Sequence, residues 1–282
     1  MARSRNPAQR RAARLERRNT GSDLGARVIV GVPAAIAAVV LIYSSNTVFA
    51  VGALILGMLA LGELFNMYPR VRPVRLAGFL ALIGMAAAAR FGGEHAVLLA
   101  AVATFPVMFL VAALTPGGPS TTARMSLTVL GVFWVGFAIA HAIMLHELPH
   151  GEAIIIDVLV GTFIGDSGAY LGGRAFGRRK LAPGISPNKT VEGLLIGMVT
   201  AVVSVVICKL YQDWLTLGQA VLLGLAVAVM APLGDLFESQ VKRDAGTKDA
   251  GRLFGVHGGA LDRLDAAFFA LVAGYFVWSA ML

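Results

Sequence analysis

Stretches of 18 or more residues with almost no charged side chain recur along this chain of 282 residues, and they leave few folds open. A bilayer core about 30 Å thick is crossed by roughly 20 apolar residues in a helix. Open strands could not satisfy their backbone groups in lipid, so helices are the expected form. Composition agrees, since 57% of the residues are hydrophobic and 14% charged, against roughly a quarter charged in soluble domains. The spacing predicts helices over 27–45, 47–67, 74–91, 95–114, 124–145, 153–173, 191–210, 217–239 and 262–281. The expected fold is therefore all-α, a polytopic integral membrane protein of about nine transmembrane helices. Residues 1–26 read as a basic cytoplasmic tail, 27–150 as N-terminal transmembrane helices, and 151–282 as a C-terminal transmembrane region with cytoplasmic loops 174–190 and 240–263.

The net charge of +8 would suggest nucleic acid in a soluble protein, but here it is explained by position, and no nucleic-acid partner is expected. Seven arginines fall within residues 3–18. That segment lacks the Ser-rich amphipathic character of a transit peptide, and it reads as a tail resting on anionic headgroups. With the tail inside, the segments 68–75, 115–124, 174–190 and 240–263 are also inside. Of the 24 Lys and Arg residues, only Arg90 and Lys209 lie at the outer ends. Loop asymmetry of this kind sets orientation: a multi-pass protein of the cell's inner membrane, with N-terminus and polar site cytoplasmic and C-terminus outside.

Cys208 stands alone in an apolar run, which excludes an intrachain disulfide and a cysteine-based zinc site. His146, Glu147, His150 and Glu152 invite a metal reading, but Pro149 disfavours the helix that would align the two histidines, and a solvated external loop is expected. Glycines four apart, such as Gly161 with Gly165 and Gly193 with Gly197, let helix backbones approach closely. They serve packing within the chain or, as the alternative, a homodimer.

Ionisable residues inside spans are costly and read as functional by default. Here they are Glu63, Asp157, Asp166, Asp235 and Glu238. At 1.5 Å per residue, all but Asp157 fall in the cytoplasmic half, below a layer of Lys and Arg. The richest stretch runs from Gly234 to Asp265. On a helix, Asp235, Glu238, Ser239 and Lys242 share one face, with acid, hydroxyl and base in order of depth. Asp262 and Asp265 open the last span, where a helix N-terminus favours anions. Hard cations such as Mg²⁺ bind through one or two carboxylates plus substrate phosphates. Asp235 and Asp262 could supply those carboxylates, while Lys242, Arg243, Lys248 and Arg263 neutralise phosphate oxygens. In the second polar element, Lys189 and Thr190 are adjacent, but no Walker-type pattern surrounds them. Ser186, Asn188, Lys189 and Thr190 can still donate hydrogen bonds to a nucleotide.

At these residues the sequence resembles the phosphatidate cytidylyltransferase family. The signature consists of Ser239, Lys242, Arg243, Lys248, Asp249, His257, Gly258, Gly259, Asp262, Arg263 and Asp265. GDSGAYLGGRAFGRRKLAPGISPNKTVEG supports it from Gly165 onward and, more weakly, GELF at Gly62 to Phe65. Ser167 stands where the family often has threonine, and Phe254-Gly255 where Pro-Gly is common. The resemblance implies transfer of CMP from CTP to phosphatidate with Mg²⁺, as one metal ion or two and with a monovalent cation in some members. It also implies Asp235 and Asp262 as leading metal ligands, Lys242 as a phosphate contact, and Asp249 and Asp265 as ligands or their supports. Together these implications make Asp235, Lys242, Asp249, Asp262 and Asp265 the expected catalytic set. His257 either positions a phosphate or orders the glycine loop. Two other readings stand beside this one: a CTP-using enzyme acting on a polyprenol or ether lipid, and an ion-coupled transporter built on the intramembrane acids.

Overall fold

The computed structural model describes residues 31–115, 117, 120–251 and 258–282. Its helices are α1 (Gly31–Ile42), α2 (Asn46–Met67), α3 (Arg75–Leu114), α4 (Thr121–Gly131), a π-helical segment (Val132–Gly136), α5 (Phe137–Glu147) and α6 (Gly151–Phe176). Strands β1 (Lys180–Ala182) and β2 (Ser186–Thr190) follow, then α7 (Val191–Lys209), α8 (Leu217–Asp244) and α9 (Leu261–Ser279). The architecture is all-α apart from that one strand pair. Among the described residues, six helices are long and apolar enough to cross a membrane: α2, α3, α4 to α5 taken as one, α6, α7 and α8.

The 40 residues of α3 would reach about 60 Å if straight. They do not run straight, because Gly93 takes φ 69° and ψ −164°. Val74 and Ala77 share one buried cluster with Met108 and Ala112, residues about 45 Å apart on a straight helix. The helix therefore doubles back at a single glycine, which supplies the positive φ that other residues resist. The expected loop at 91–94 is replaced by this one-residue break.

Both ends of the bundle are tied by polar contacts. At one end Arg90 pairs with Glu147 at 3.1 Å, and the Tyr275 hydroxyl donates to Glu94 at 2.8 Å. His146 Nε2 bonds the Ile42 carbonyl at 2.7 Å, and Trp278 Nε1 donates to the Pro149 carbonyl at 2.8 Å. Glu147, Pro149 and His150 are exposed, as expected of a solvated loop, although His150 stacks on Trp214; His146 departs from it and is buried. The helix α5 runs on to Glu147, which carries His146 into the core. At the other end the buried Arg124 donates to the Arg72 carbonyl (3.0 Å) and to the carbonyl and hydroxyl of Thr115 (2.8 and 3.2 Å).

The helices α6 and α7 pack through small residues. A Cβ on Gly197 would stand 2.8 Å from the Gly165 carbonyl, and one on Gly193 would stand 2.9 Å from Gly173 Cα. These glycines are thus used within the chain. The segment 174–190, expected as a loop, instead ends α6 at Phe176 and forms an antiparallel hairpin. Pro183 sits at the second position of its turn, closed by the Ile185 amide donating to Ala182 at 3.1 Å. Glu192, in the first turn of α7, accepts from the Arg178 and Arg179 amides at 2.9 and 3.1 Å. The helix α8 opens on a capping box, Thr216 with Gln219, and extends five residues past its expected end, which puts Lys242 and Arg243 on the helix.

Candidate active site

On α8 the face predicted from spacing is formed. Ser239 Oγ donates to Asp235 Oδ1 at 3.4 Å, and Lys242 pairs with Glu238 one turn above it. Lys242 also donates to Asp262 Oδ1 at 2.9 Å, joining α8 to the first turn of α9. The side chains of Glu238, Asp262 and Lys242 are 1%, 8% and 15% exposed. Charges this deep are costly unless neutralised, and Lys242 stands between the two carboxylates.

Asp262 is further held by the amides of Ala250 at 3.0 Å and Gly259 at 2.8 Å. Gly258 beside it takes φ 81°. Asp265, one turn further along α9, lies within electrostatic reach of Asp235 and Lys242. That close approach of α8 and α9 depends on Gly234, where a Cβ would stand 3.2 Å from Ala266 Cα.

The hairpin supplies the second cation. Lys189 on β2 forms an ion pair with Asp235, and Asp166 on α6 faces both. Arg243 Nε donates to the Ile185 carbonyl at 3.2 Å, fixing the hairpin turn to the end of α8. Between α6, α7, α8 and the hairpin lies a cavity of about 590 Å³. Asp166, Arg174, Asn188, Lys189 and Asp235 line its polar end, while Ala201, Val227 and Ala228 line its depth. One continuous space thus joins charge to hydrocarbon-like walls.

The remaining expected residues divide clearly. Ser186 and Asn188 line the cavity. Thr190 does too, but its hydroxyl caps α7 by accepting from the Gly193 amide at 3.1 Å. Lys248, Asp249 and Arg263 are exposed, and His257 lies outside the described residues. No group of three or more His, Cys, Asp or Glu converges to hold a metal among the described residues. Asp249 is not brought to Asp235 or Asp262 by any described contact. Spacing puts Glu238 on the same face as Asp235 and Lys242, and the fold pairs it with Lys242.

The expected ligands Asp235 and Asp262 offer the oxygen chemistry a hard cation takes, each now paired with a lysine. Five carboxylates, Asp166, Asp235, Glu238, Asp262 and Asp265, are linked in one chain of contacts with two lysines. Mg²⁺ requires only one or two protein carboxylates beside substrate phosphates.

Comparison with known proteins adds the family. The sequence matches the cytidylyltransferase family over residues 25–281. A phosphatidate cytidylyltransferase of Bacillus subtilis is 31% identical over 263 residues, covering 90% of this chain and 97% of the relative. One from Haemophilus influenzae is 40% identical over 126 residues, covering 43% and 44%. The uncharacterized protein YnbB of Escherichia coli is 40% identical over 161 residues, covering 53% and 54%. In these last two alignments the chain spans about half the length of its relatives. With a match reaching from before the first helix to the end of the last, and a full-length relative above 30% identity, the chain belongs to the cytidylyltransferase family.

Proposed function

We propose that this protein transfers CMP from CTP to phosphatidate, giving CDP-diacylglycerol and pyrophosphate. The observation that carries this reading is the cavity between α6, α7 and α8, charged at one end and apolar in its depth. An amphiphile with an anionic head and acyl chains matches it. Phosphatidate's phosphomonoester is already anionic near neutral pH, so its oxygen needs alignment and charge neutralisation more than a strong base. Lys189 and Lys242 reach in from opposite sides of the acidic row, β2 and α8, and each can bind phosphate oxygen. Asn188 and Ser186 offer hydrogen bonds beside Lys189, and Arg243, Lys248 and Arg263 add positive charge at the surface. The residues that would hold Mg²⁺ are Asp235 on α8 and Asp262 on α9, with Asp265 one turn beyond Asp262. When bound, the metal would supply Lewis-acid stabilisation of phosphate charge.

In this reading nine helical segments cross the bilayer: α1, the two arms of α3, α4 to α5, α6, α7, α8 and α9 join α2. The cavity's charged end faces the cytoplasm, as the positive charge gathered there supports. Incubating purified protein with labelled CTP, Mg²⁺ and a panel of lipid phosphates tests the reaction: a CDP-lipid made from phosphatidate is expected, and no CDP-lipid from any acceptor would overturn it. Orientation is tested separately. In a Cys208→Ser background, a single cysteine at Asn188 should react with an impermeant maleimide only from the inner face, and one at His150 only from the outer.

A further inference from the structure

Glu63 lies on α2, in the N-terminal half of the chain, and none of the chemistry above uses it. Its Oε2 accepts from the Leu261 amide at 2.9 Å, across 198 positions of sequence. Leu261 is the first residue of α9, whose N-cap is Ala260, a residue with no side-chain cap. The first amides of a helix have no partner within it, and alanine is among the poorest caps. The missing acceptor is brought by another helix. Two glycines of the α8 to α9 connection show that the approach is close. A Cβ on Gly251 or on Gly259 would overlap the Glu63 carboxylate. Both flanks of the segment between α8 and α9 therefore rest on one side chain. The same end of α2 grips α8, because the Tyr68 hydroxyl donates to the Val241 carbonyl at 2.8 Å.

One position into α9 from Leu261 stands Asp262, the carboxylate engaged by Lys242. We infer that Glu63 is a positioning residue for the transferase: as a cap supplied from α2, it fixes the start of α9 and so sets Asp262 and Asp265 against α8. The inference rests on the proposed activity for its kinetic consequence, but its structural content stands apart from that activity. Glu63 touches neither substrate nor metal in this role. It acts through the backbone of Leu261 and through the two glycines.

The test uses the full-length protein with Glu63→Ala and Glu63→Gln. Displacing reacting groups by about 1 Å can cost on the order of 100-fold in rate. Glu63→Ala is therefore expected to lower kcat about 100-fold while the KM for CTP moves less than about threefold. Glu63→Gln, which keeps an acceptor oxygen, should retain several times more kcat than Glu63→Ala. Amide hydrogen exchange is the second readout. In Glu63→Ala, exchange should quicken in the peptide spanning 258–264, while peptides from α2 and α6 stay as protected as in wild type. Uniform loss of protection across α2 would show a merely structural role and overturn the inference, as would unchanged exchange at 258–264 or kcat above half of wild type. If the wild-type protein transfers no CMP, the proposed function fails, and the exchange result still decides the role of Glu63.

Discussion

Removing Lys242 separates its structural part from its chemical one. Lys242→Met fills similar space but leaves Glu238 and Asp262 without the ammonium between them. Breaking a buried pair by deleting one partner costs roughly 3–5 kcal/mol, and Glu238 is only 1% exposed. Asp262 is less affected, since two backbone amides still donate to it. Adding Glu238→Gln removes the more deeply buried charge and should restore about 1–3 kcal/mol. Activity should not follow. Losing a preorganised donor to developing phosphate charge costs on the order of 100-fold to 1000-fold in rate, and the second substitution returns no cation. Stability can be read by denaturant titration in detergent through Trp134, whose ring packs edge-on to Phe237 at 4.7 Å, beside Glu238. CMP transfer is measured on the same samples. A single mutant as stable as wild type would refute the pairing argument, and a double mutant that regains transfer would refute the phosphate role.

Asp235→Asn and Asp262→Asn should each lower CMP transfer by at least about 100-fold while the protein still inserts in membranes; near-full activity in both would remove the carboxylates from the site. Gly197→Ala should cost about 1–3 kcal/mol through overpacking against Gly165 and Ala169. Gly184→Ala, with nothing within 4 Å of the added carbon, should change stability by less than about 0.5 kcal/mol, both being read by thermal unfolding. Arg124→Leu should destabilise by about 2–4 kcal/mol, because it leaves the Arg72 and Thr115 carbonyls without their charged donor. Arg124→Lys should recover little of this, since one ammonium cannot reproduce the forked geometry, and denaturation midpoints of the three proteins decide it.

Much of this was legible in the sequence, for a physical reason: lipid makes hydrophobic length a direct readout of helix position. The expected helix at 191–210 is the observed Val191–Lys209, and the one at 47–67 is Asn46–Met67. Helical periodicity likewise placed Asp235, Ser239 and Lys242 on one face. The hairpin escaped because its strands are three and five residues long, too short to show alternation, although Pro183-Gly184 marked its turn. Lys189 was singled out as a phosphate donor, but its partner Asp235 lies 46 positions away. The grip of Glu63 on Leu261 spans still more chain. Such pairings depend on how helices meet, which local periodicity does not encode. Asp249 is carried by its place in a motif, and the fold leaves it exposed, next to the Ala250 whose amide donates to Asp262.

The reversal at Gly93 has a consequence for biogenesis. In the proposed topology the two arms of α3 can enter the bilayer together as one apolar wedge, and Arg90, Glu94 and His95 beside the bend must travel across. Glu94 finds a waiting hydroxyl on Tyr275. In that topology one backbone torsion of 69° sets the parity of every later helix. Straightening it would carry the row of acids and lysines to the side of the membrane opposite the one proposed for it, away from the nucleotide the proposed reaction uses.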